Sequence, residues 1–324
     1  MSQIDKIKQP VKEELDRFNK VFAESMHSKV PLINIITNYI LRRKGKQIRP
    51  LLIFLSAKLN GTPGSSTYTA ASLAELLHTA TLIHDDVVDE SYERRGFLSI
   101  NAIWKSKISV LLGDFLLSRG LIIAVENEEY DILRIFTDAV KEMSEGELYQ
   151  IQKVRKLNIR EDEYFDIIRK KTATLLAACS SSGARSVTQD KSVIKKMFDF
   201  GINIGIAFQI KDDLFDYEQT SLTGKPKWND IQEKKLTLPL IAALEKSGNS
   251  ERKEIIRLIN KKSKKNKTYQ KIVDFVKINR GPEYAREKMY FYRDQALILL
   301  SEFPPSNTRI ALEMLVNYIV ERKK

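Results

Sequence analysis

The chain has 324 residues, of which 43% are hydrophobic and 30% charged, and its 54 basic and 42 acidic residues give a net charge of +12. That hydrophobic content allows a large core and excludes a disordered or fibrous protein. The single cysteine, Cys179, excludes an internal disulfide framework and a cysteine-rich zinc site and favours a cytoplasmic location.

The chain begins with a polar segment of helical pattern, MSQIDKIKQPVKEELDRF. This segment lacks the apolar centre and the small-residue cleavage site of a signal peptide. Farther along, charged residues interrupt every apolar stretch before it reaches the roughly 18 residues of a membrane span. We therefore expect a soluble protein.

Apolar residues recur at helical spacing through most of the chain, as Leu73, Leu77 and Ala80 do, and sustained strand-like alternation is absent. The pattern predicts an all-α protein of about a dozen helices. Breaks rich in turn residues are expected at residues 61–66, 91–96, 181–183, 220–229, 247–249 and 303–307. None is long enough to be an interdomain linker, and no repeat is visible, so we predict one domain over residues 1–324, a single helical bundle.

The first chemical motif lies in LLHTATLIHDDVVDE, near the end of an apolar helical segment. Asp85 and Asp89 share a helix face, His78 and Thr81 lie within about 60° of Asp85, and Asp86 adds a third carboxylate. Clustered carboxylates repel one another and are disfavoured at a helix C-terminus, so cations must compensate. Carboxylate oxygens suit Mg²⁺, which binds proteins through one or two carboxylates plus substrate phosphates. Alone, the motif is equally compatible with a solvated acidic helix end.

A second motif, AFQIKDDLFDY, repeats the same spacing. It contains Asp212, Asp213 and Asp216, with Gln209 one turn earlier on the same side of the helix. If the two acidic faces confront each other across the bundle, metal ions can bridge their carboxylates to a diphosphate. The pair therefore predicts a site for phosphate chemistry.

Basic residues that could hold an anion are spread along the chain, and each alone is commonly a solvated surface charge. They are Lys46, Arg49, Arg94, Arg95, Lys171, Lys225 and Lys235. Arg94 and Arg95 follow Asp89 closely enough for a loop to fold them back over the acidic motif. The lysine-rich residues 252–271 are interpreted as a solvated helix pair joined by a turn. Aromatic residues are not interleaved there as a base-stacking surface requires, so nucleic acid is not expected as a partner.

A series of motifs in this chain resembles that of the all-trans polyprenyl diphosphate synthases. In chain order the motifs are GKQIRP, DDVVDESYERRG, the Gly113 and Asp114 pair, the Lys171 and Thr172 pair, FQIKDDLFD and GKPKWNDIQEKKLTLPL. The resemblance runs through most of the chain. It implies the isoprenoid synthase type of fold, a large all-α bundle around a central cavity, assembled as a homodimer. It also implies two substrates, isopentenyl diphosphate and an allylic diphosphate primer.

The same resemblance implies a role for each motif residue. Three Mg²⁺ ions would be held on the allylic diphosphate by Asp85, Asp86, Asp89, Asp212 and Asp216, with Asp213 acting through bound water and Arg94, Lys171 and Lys235 assisting. Isopentenyl diphosphate would be bound by Lys46, Arg49, His78 and Arg95, with Thr172, Gln209 and Lys225 completing the lining. The carbon–oxygen bond of the allylic diphosphate would break to leave an allylic cation and free diphosphate. The double bond of isopentenyl diphosphate would then attack this cation, and the condensed product would lose a proton to the released diphosphate. No side-chain nucleophile is needed, and Cys179 is expected to be structural.

Four residues depart from the family pattern. Lys44 and Gln47 replace a glycine and an arginine of the family's GGKR, which weakens the prediction for isopentenyl diphosphate binding. Trp228 and Lys234 stand where small residues are usual in the GKPKWNDIQEKKLTLP segment. We expect this segment, a mobile flap in the family, to close differently here, and we expect Lys234 to be able to take the role of Lys235.

Product length is expected to depend on the residues beneath the first aspartate, since each helical turn advances about 5.4 Å, close to one isoprene unit. Short-chain members of the family carry bulky aromatics where this chain has Ala80 and Thr81. We predict a hexaprenyl to nonaprenyl product, with the floor formed by Phe115, Leu116 or Ile122. A short-chain synthase, a class I terpene cyclase and a non-catalytic partner subunit stay open as alternatives, as does peripheral membrane contact.

Overall fold

The computed structural model describes residues 2–43, 45–94, 97–154, 159–217, 228–261 and 266–322. Of Arg94, Val154 and Asn229 it describes the backbone alone. Three residues singled out from the sequence, Lys44, Arg95 and Lys225, lie outside these ranges.

The chain folds into two compact units, each assembled from separate stretches of sequence. Unit 1 comprises Met1–Asp138, Leu176–Asp199 and Leu300–Leu315, and unit 2 comprises Ala139–Leu175, Phe200–Leu299 and Val316–Lys324. The chain passes from one unit to the other inside helices, at none of the breaks that the sequence predicts. The single domain over residues 1–324 stays a prediction.

In the first part of the chain, up to the helix in which it leaves unit 1, the described elements are helices and one pair of strands. Its elements are α1 (Gln3–Lys8), a 3₁₀ turn (Gln9–Val11), α2 (Lys12–Ser25), α3 (Pro31–Leu41), α4 (Ile48–Asn60), α5 (Ser65–Val88), β1 (Glu93–Arg94), β2 (Phe97–Leu98), α6 (Ile100–Glu126) and α7 (Tyr130–Val154). The core of unit 1 is formed by apolar faces of α2, α4 and α5, where Phe18, Phe54 and Leu73 are fully buried.

In the rest of the chain every described element is a helix. Its elements are α8 (Glu161–Ile168), a π-helical segment (Arg169–Ala173), α9 (Thr174–Arg185), α10 (Lys191–Phe215), α11 (Asn229–Gln232), α12 (Leu238–Lys246), α13 (Asn249–Asn260), α14 (Asn266–Ile278), α15 (Gly281–Ser301) and α16 (Asn307–Glu321). The all-α prediction is confirmed. The helices outnumber the expected dozen because α1, α8 and α11 are too short to show a hydrophobic period.

The only strands in the described part of the chain stand where a loop was expected. Strands β1 and β2 pair antiparallel within residues 91–98, with Glu93 opposite Leu98 and Arg94 opposite Phe97. The hairpin therefore fixes the direction of the backbone just after the first acidic motif.

The break expected at residues 181–183 is wrong, because α9 runs through it. Ser181 and Ser182 are buried, and their hydroxyls donate back to the carbonyls of Ala177, at 2.7 Å, and Cys179, at 3.1 Å. At Gly183 a Cβ atom would lie 2.4 Å from the carbonyl oxygen of Ile53 on α4. The glycine thus allows two helices to approach closely and makes no turn.

Helix α6 carries two features that the sequence analysis did not anticipate. Lys105 has φ 69° and ψ 164°, so the helix is kinked there. An 18-residue window of α6 has a mean hydropathy of 2.0, so the helix is long and apolar enough to cross a membrane by length and composition alone. The core helix of a soluble protein can meet the same two criteria. The expectation that charged residues interrupt every apolar stretch too soon therefore overlooked α6.

The predicted helix pair at residues 252–271 is present as α13 and α14, and its lysine-rich connection lies outside the described residues. Ile255 and Ile259 of α13 and Ile272 of α14 are buried, whereas Arg252, Lys253, Arg257, Lys267 and Lys271 are exposed. The charge run is accordingly the solvated side of two packed helices.

Candidate active site

The first acidic motif ends α5 in unit 1. Asp85 is in the last turn, Asp89 is the C-cap residue, and both are exposed, whereas Asp86 is buried. Thr81 and His78 are half-buried, one and two turns before Asp85, as the spacing predicts for one stripe. The Thr81 hydroxyl donates to the His78 carbonyl at 2.9 Å, so its hydrogen is used within the helix.

The end of α5 is held by its neighbours in unit 1. The backbone N–H of Ser91 and the side-chain amide of Asn101 donate to the Asp86 carbonyl at 2.9 and 3.4 Å. The His84 ring packs on Gly113 of α6, where a Cβ atom would come within 2.2 Å of Nε2. Close approach of α6 to the motif therefore explains why glycine precedes Asp114.

The hairpin after the motif is fastened to α3 by an aromatic and cationic cluster. The Arg43 guanidinium lies 3.4 Å from the ring centroid of Tyr39 and 4.4 Å from that of Phe97. The Tyr39 hydroxyl donates to the Leu98 carbonyl at 2.7 Å. These contacts fix the backbone at Arg94, whose side chain the structure does not describe.

The other cationic residues predicted in unit 1 surround the start of α4. Lys46 is exposed just before the helix, and Arg49, its second residue, is half-buried. Gln47 has φ 55°, in the left-handed region that favours glycine or asparagine, and its side-chain amide donates to the Asn19 carbonyl oxygen at 2.9 Å. In this chain Gln47 therefore anchors the segment to α2.

In unit 2 the second motif is positioned by one face of α10. Gly205, Gln209 and Asp213 follow at intervals of four residues and so lie on the same side. The π-helical segment packs against this face, since a Cβ atom at Gly205 would lie 2.4 Å from the Cα of Ala173. On α7, a Cβ atom at Gly146 would lie 2.8 Å from the Lys170 Cβ. Single π turns occur frequently at functional sites, and this one carries Lys171 and Thr172.

A chain of hydrogen bonds joins the side chains on these elements. Thr172 donates to the Gln209 carbonyl oxygen at 2.8 Å, and the Gln209 amide donates to Asp213 Oδ1 at 2.8 Å. The hydroxyl of Tyr164, on α8, donates to Asp213 Oδ2 at 2.7 Å. Both Asp213 oxygens thus have a donor, and three predicted site residues share one network.

Burial governs the protonation of Asp213. Removal from water raises its pKa from the usual 3.8 to about 7, although the donors Tyr164 and Gln209 act in the opposite direction. The neighbouring carboxylates Asp212 and Asp216 raise this pKa further. A cation near Asp213 would therefore favour its charged form.

The two outer aspartates have separate partners in unit 2. Arg322, beyond the end of α16, donates from Nη2 to Asp212 Oδ1 at 2.7 Å. The backbone N–H of Asp230 donates to Asp216 Oδ2 at 2.7 Å and ties α11 to the motif. The three carboxylates are therefore oriented differently, although they are close in sequence.

A cavity in unit 2 collects most of the residues predicted there. Lys171, Thr172, Gln209, Asp213 and Lys235 line it, together with Asp230. Lys171 is ion-paired with Glu147 and bonds the Gln150 side chain, and Lys235 is ion-paired with Glu233. Two cations and two carboxylates thus face one space, an arrangement suited to a metal-bound phosphate group.

The segment after α10 shows why its unusual residues matter. Trp228 and Lys234 have φ of 63° and 58°, which explains why small residues suit these positions. The Trp228 ring stacks on Tyr269 of α14, with centroids 5.2 Å apart. Lys235, and not Lys234, lines the cavity.

Several residues of the site escaped the sequence analysis. Tyr164, Gln150, Asp230 and Arg322 all contact predicted site residues. Asp230 stood within a recognised motif, NDIQ, and its acidic side chain was a usable signal. Tyr164 and Arg322 gave none, because each lies far along the chain from its partner.

No group of three or more His, Cys, Asp or Glu side chains in the described part of the chain forms a complete metal site by itself. The donors available are carboxylate oxygens, the type that Mg²⁺ prefers, and Mg²⁺ commonly completes its shell with substrate phosphates. The residues present therefore fit a divalent ion that arrives with a diphosphate.

The remaining predicted residues lie inside unit 1. Ala80 is buried beside Thr81, Leu116 is fully buried and Phe115 half-buried, whereas Ile122 is 41% exposed and is no candidate for the floor of an internal tunnel. Cys179 is fully buried, and burial raises the pKa of its thiol to about 12. Such a thiol is not an activated nucleophile.

Comparison with known proteins is consistent with this description. The family model Polyprenyl synthetase matches residues 30–276. The octaprenyl diphosphate synthase of Escherichia coli is 33% identical over 325 residues, covering 99% of each chain. A polyprenyl synthase from Caulobacter crescentus, solved with calcium and isoprenyl diphosphate, superposes with a TM-score of 0.91 at 33% identity over 99% of this chain and 98% of that one.

A third relative makes a shorter product by its name. The geranylgeranyl pyrophosphate synthase of Bacteroides thetaiotaomicron has a TM-score of 0.85 at 36% identity, over 99% of this chain and 100% of that one. Family membership thus leaves the chain length of the product undetermined. With an all-α isoprenoid synthase fold, two aspartate motifs at helix ends and a match over most of its length, this chain belongs to the polyprenyl synthetase family of prenyltransferases.

Proposed function

We propose that this protein condenses isopentenyl diphosphate with an allylic diphosphate and repeats the step to make an all-trans hexaprenyl to nonaprenyl diphosphate. The observation that carries the proposal is the grouping of Lys171, Thr172, Gln209, Asp213 and Lys235 around one cavity beside the second aspartate motif. Asp85, Asp86 and Asp89 are proposed to act on the same allylic diphosphate as Asp212 and Asp216.

Three Mg²⁺ ions, when bound, would neutralise the charge that develops on the leaving diphosphate. Asp85, Asp86, Asp89, Asp212 and Asp216 would hold them, and Asp213 would contribute through water. Lys171 and Lys235 would exchange their present carboxylate partners for diphosphate oxygens, with Arg94 assisting. Fixed cations of this kind stabilise the departing group without reorganising water.

The second substrate is assigned to Lys46, Arg49, His78 and Arg95, with Thr172, Gln209 and Lys225 completing the lining. These residues orient isopentenyl diphosphate so that its double bond meets the allylic cation. The condensed product then loses a proton to the departing diphosphate, so no side-chain base is required. Proximity of two bound reactants is itself a large part of such catalysis.

The medium to long product is supported by the small side chains at Ala80 and Thr81. An aromatic residue at either position would stand one turn below Asp85, where the growing chain must pass. Leu116 and Phe115 are proposed to close the path farther along α6.

A cytoplasmic homodimer is proposed as the working form. The exposed apolar side chains of α6, among them Val110, Leu111, Ile122 and Val125, support an interface between two copies. The exposed basic side of α13 and α14 supports transient contact with an anionic membrane, where a long product would be delivered.

The test is incubation of purified protein with Mg²⁺, labelled isopentenyl diphosphate and farnesyl or geranylgeranyl diphosphate, followed by chromatographic sizing of the dephosphorylated products. A ladder ending at six to nine isoprene units supports the proposal. Products of three or four units would make it a short-chain synthase, the alternative favoured by the geranylgeranyl relative. Cyclic hydrocarbons would indicate a terpene cyclase, and no turnover with any primer would indicate a non-catalytic subunit.

Matched variants connect turnover to the motifs. Asp85→Asn and Asp212→Asn each keep the side-chain volume and remove a charged ligand, so activity should fall at least a hundredfold. Asp138→Asn, an exposed residue of α7, is the control and should leave turnover unchanged.

A further inference from the structure

Arg322 lies outside the region matched by the family model and is nevertheless built into the second aspartate motif. Its Nη2 donates both to Asp212 Oδ1, at 2.7 Å, and to the Phe208 carbonyl, at 3.2 Å. Its Nε donates to the Ile319 carbonyl at 3.2 Å. The guanidinium carbon lies 3.9 Å from the centroid of the Phe208 ring. Three hydrogen bonds and a stacked ring thus fix one cation on one carboxylate.

Burial makes this pair stronger than an ordinary surface ion pair. The Arg322 side chain is 13% exposed and that of Asp212 is 29% exposed. Exposed pairs contribute little to stability because water and salt screen them, and shielding from water increases the attraction. Asp212 also has two carboxylates, Asp213 and Asp216, within its own motif, and a cation beside it offsets their mutual repulsion.

We propose that Arg322 is a positioning residue that serves as the internal counter-ion of Asp212 in the metal-free protein and competes with the metal ion for that carboxylate. One oxygen, Oδ1, is engaged by the guanidinium. A divalent ion that approaches Asp212 therefore meets a carboxylate whose charge is already partly neutralised. Arg322 thus sets the metal concentration at which the second motif is loaded.

This inference rests on the proposed function, because it assumes that Asp212 is a metal ligand. Its test uses the resting protein and inorganic pyrophosphate and needs no turnover. Thermal unfolding is followed first in chelator and then with pyrophosphate and increasing Mg²⁺, and calorimetry gives the midpoint of Mg²⁺ binding. Each quantity is compared between the wild-type protein and Arg322→Met.

Removing the competing cation has two expected effects. Arg322→Met should unfold at a lower temperature in chelator, because Asp212 loses its counter-ion. The Mg²⁺ midpoint should fall by about three- to tenfold, and stabilisation by Mg²⁺ and pyrophosphate should be larger than in the wild type. A Mg²⁺ midpoint that is unchanged or higher in Arg322→Met would overturn the proposal. A purely structural arginine would affect stability in chelator and nothing else.

Two further variants protect the test against a simple folding defect. Arg322→Lys keeps the positive charge and should restore a midpoint close to that of the wild type. Phe208→Leu keeps Arg322 but removes the ring beneath it, and should shift the midpoint in the same direction as Arg322→Met by a smaller factor.

The control is Arg309→Met on α16, the helix that ends just before Arg322. Arg309 pairs with Glu313 and donates to the Phe303 carbonyl, away from the motif. It should lower stability without moving the Mg²⁺ midpoint. If Mg²⁺ and pyrophosphate fail to stabilise even the wild-type protein, the proposed function fails with this inference, whereas equal stabilisation of wild type and Arg322→Met refutes this inference alone.

Discussion

Asp213 is a carboxyl group that the fold removes from water and then supplies with two donors, Tyr164 and Gln209. The donors favour its charged form, yet burial has the larger effect and its pKa rises to about 7. The group therefore changes charge near neutral pH, between two aspartates proposed to bind metal. Mg²⁺ that loads next to Asp213 would encounter an acid that is ready to lose its proton.

This pKa predicts how stability depends on pH. The folded protein retains a proton on Asp213 between the unfolded value of 3.8 and about 7. The stability that this proton provides is complete below pH 3.8 and is lost as pH rises through 7. Asp213→Asn cannot ionise, so its free energy of unfolding should decline less between pH 4 and pH 8, by on the order of a few kcal/mol.

Urea unfolding in chelator across that pH range measures the difference. Asp162→Asn, an exposed residue of α8, is the control and should follow the wild-type curve. Parallel curves for Asp213→Asn and the wild type would show that Asp213 is already ionised in the folded protein at low pH.

A second prediction at this scale concerns Thr81. Its hydroxyl is used by the His78 carbonyl, so the position matters through its size. Thr81→Phe should shorten the product by several isoprene units, because the ring would occupy the first turn below Asp85. Chromatographic sizing of the products checks this. Thr137→Phe, on the exposed side of α7, is the control and should leave the product lengths unchanged. Unchanged product lengths in Thr81→Phe would mean that the prenyl chain grows elsewhere.

At the scale of elements, the site depends on how closely the π-helical segment approaches α10. Gly205 permits that approach, and Thr172 and Gln209 meet one turn farther along α10. The geometry of the hydrogen-bond network is therefore set by a contact between backbone atoms, with no side chain in between.

Gly205→Ala tests this dependence. The added methyl group would lie 2.4 Å from the Ala173 Cα, so the segment must move. We expect a loss of about 1–3 kcal/mol in the free energy of unfolding, together with a fall in kcat as Lys171 and Thr172 shift. Gly248→Ala is the matched control, since a Cβ atom there meets nothing within 4 Å. Equal stability of the two variants would mean that α10 and the segment separate without cost.

Elements also show the limits of prediction from sequence. The period of Leu73, Leu77 and Ala80 identifies α5 correctly because it depends on neighbours within two turns. Gly183 was misinterpreted as part of a turn because its role depends on Ile53, far away along the chain. The hydrogen bond from Tyr164 to Asp213 has the same cause, since no local pattern distinguishes this tyrosine from others in the core.

At the scale of the whole molecule, family and fold were predictable because ordered motifs extend along most of the chain. The seven residues predicted around the second motif and its cavity, Lys171, Thr172, Gln209, Asp212, Asp213, Asp216 and Lys235, all lie in unit 2. Arg322 was not predictable, since a single arginine near the end of a chain carries no signature. Product length depends on small differences in packing and is the least accessible to sequence.

The exposed apolar side of α6 predicts the oligomeric state. Leu111 is 59% exposed, and a glutamate there would place a charge within the proposed interface between copies. Leu111→Glu should convert a dimer to a monomer, as measured by light scattering coupled to gel filtration. Ile298→Glu on α15, where the side chain is 55% exposed, should stay dimeric. A wild-type monomer, or a dimer that survives Leu111→Glu, would contradict this interface.

The interleaving of the two units has a consequence for how the protein is made. Unit 1 takes Leu300–Leu315 as one of its parts, and unit 2 takes Val316–Lys324. During synthesis on the ribosome, unit 1 lacks a part until Leu315 has been translated, and unit 2 lacks a part until the residues from Val316 onwards have been translated. Apolar surfaces of both units therefore stay exposed until α16 has been made. The nascent chain should depend on chaperones up to that point.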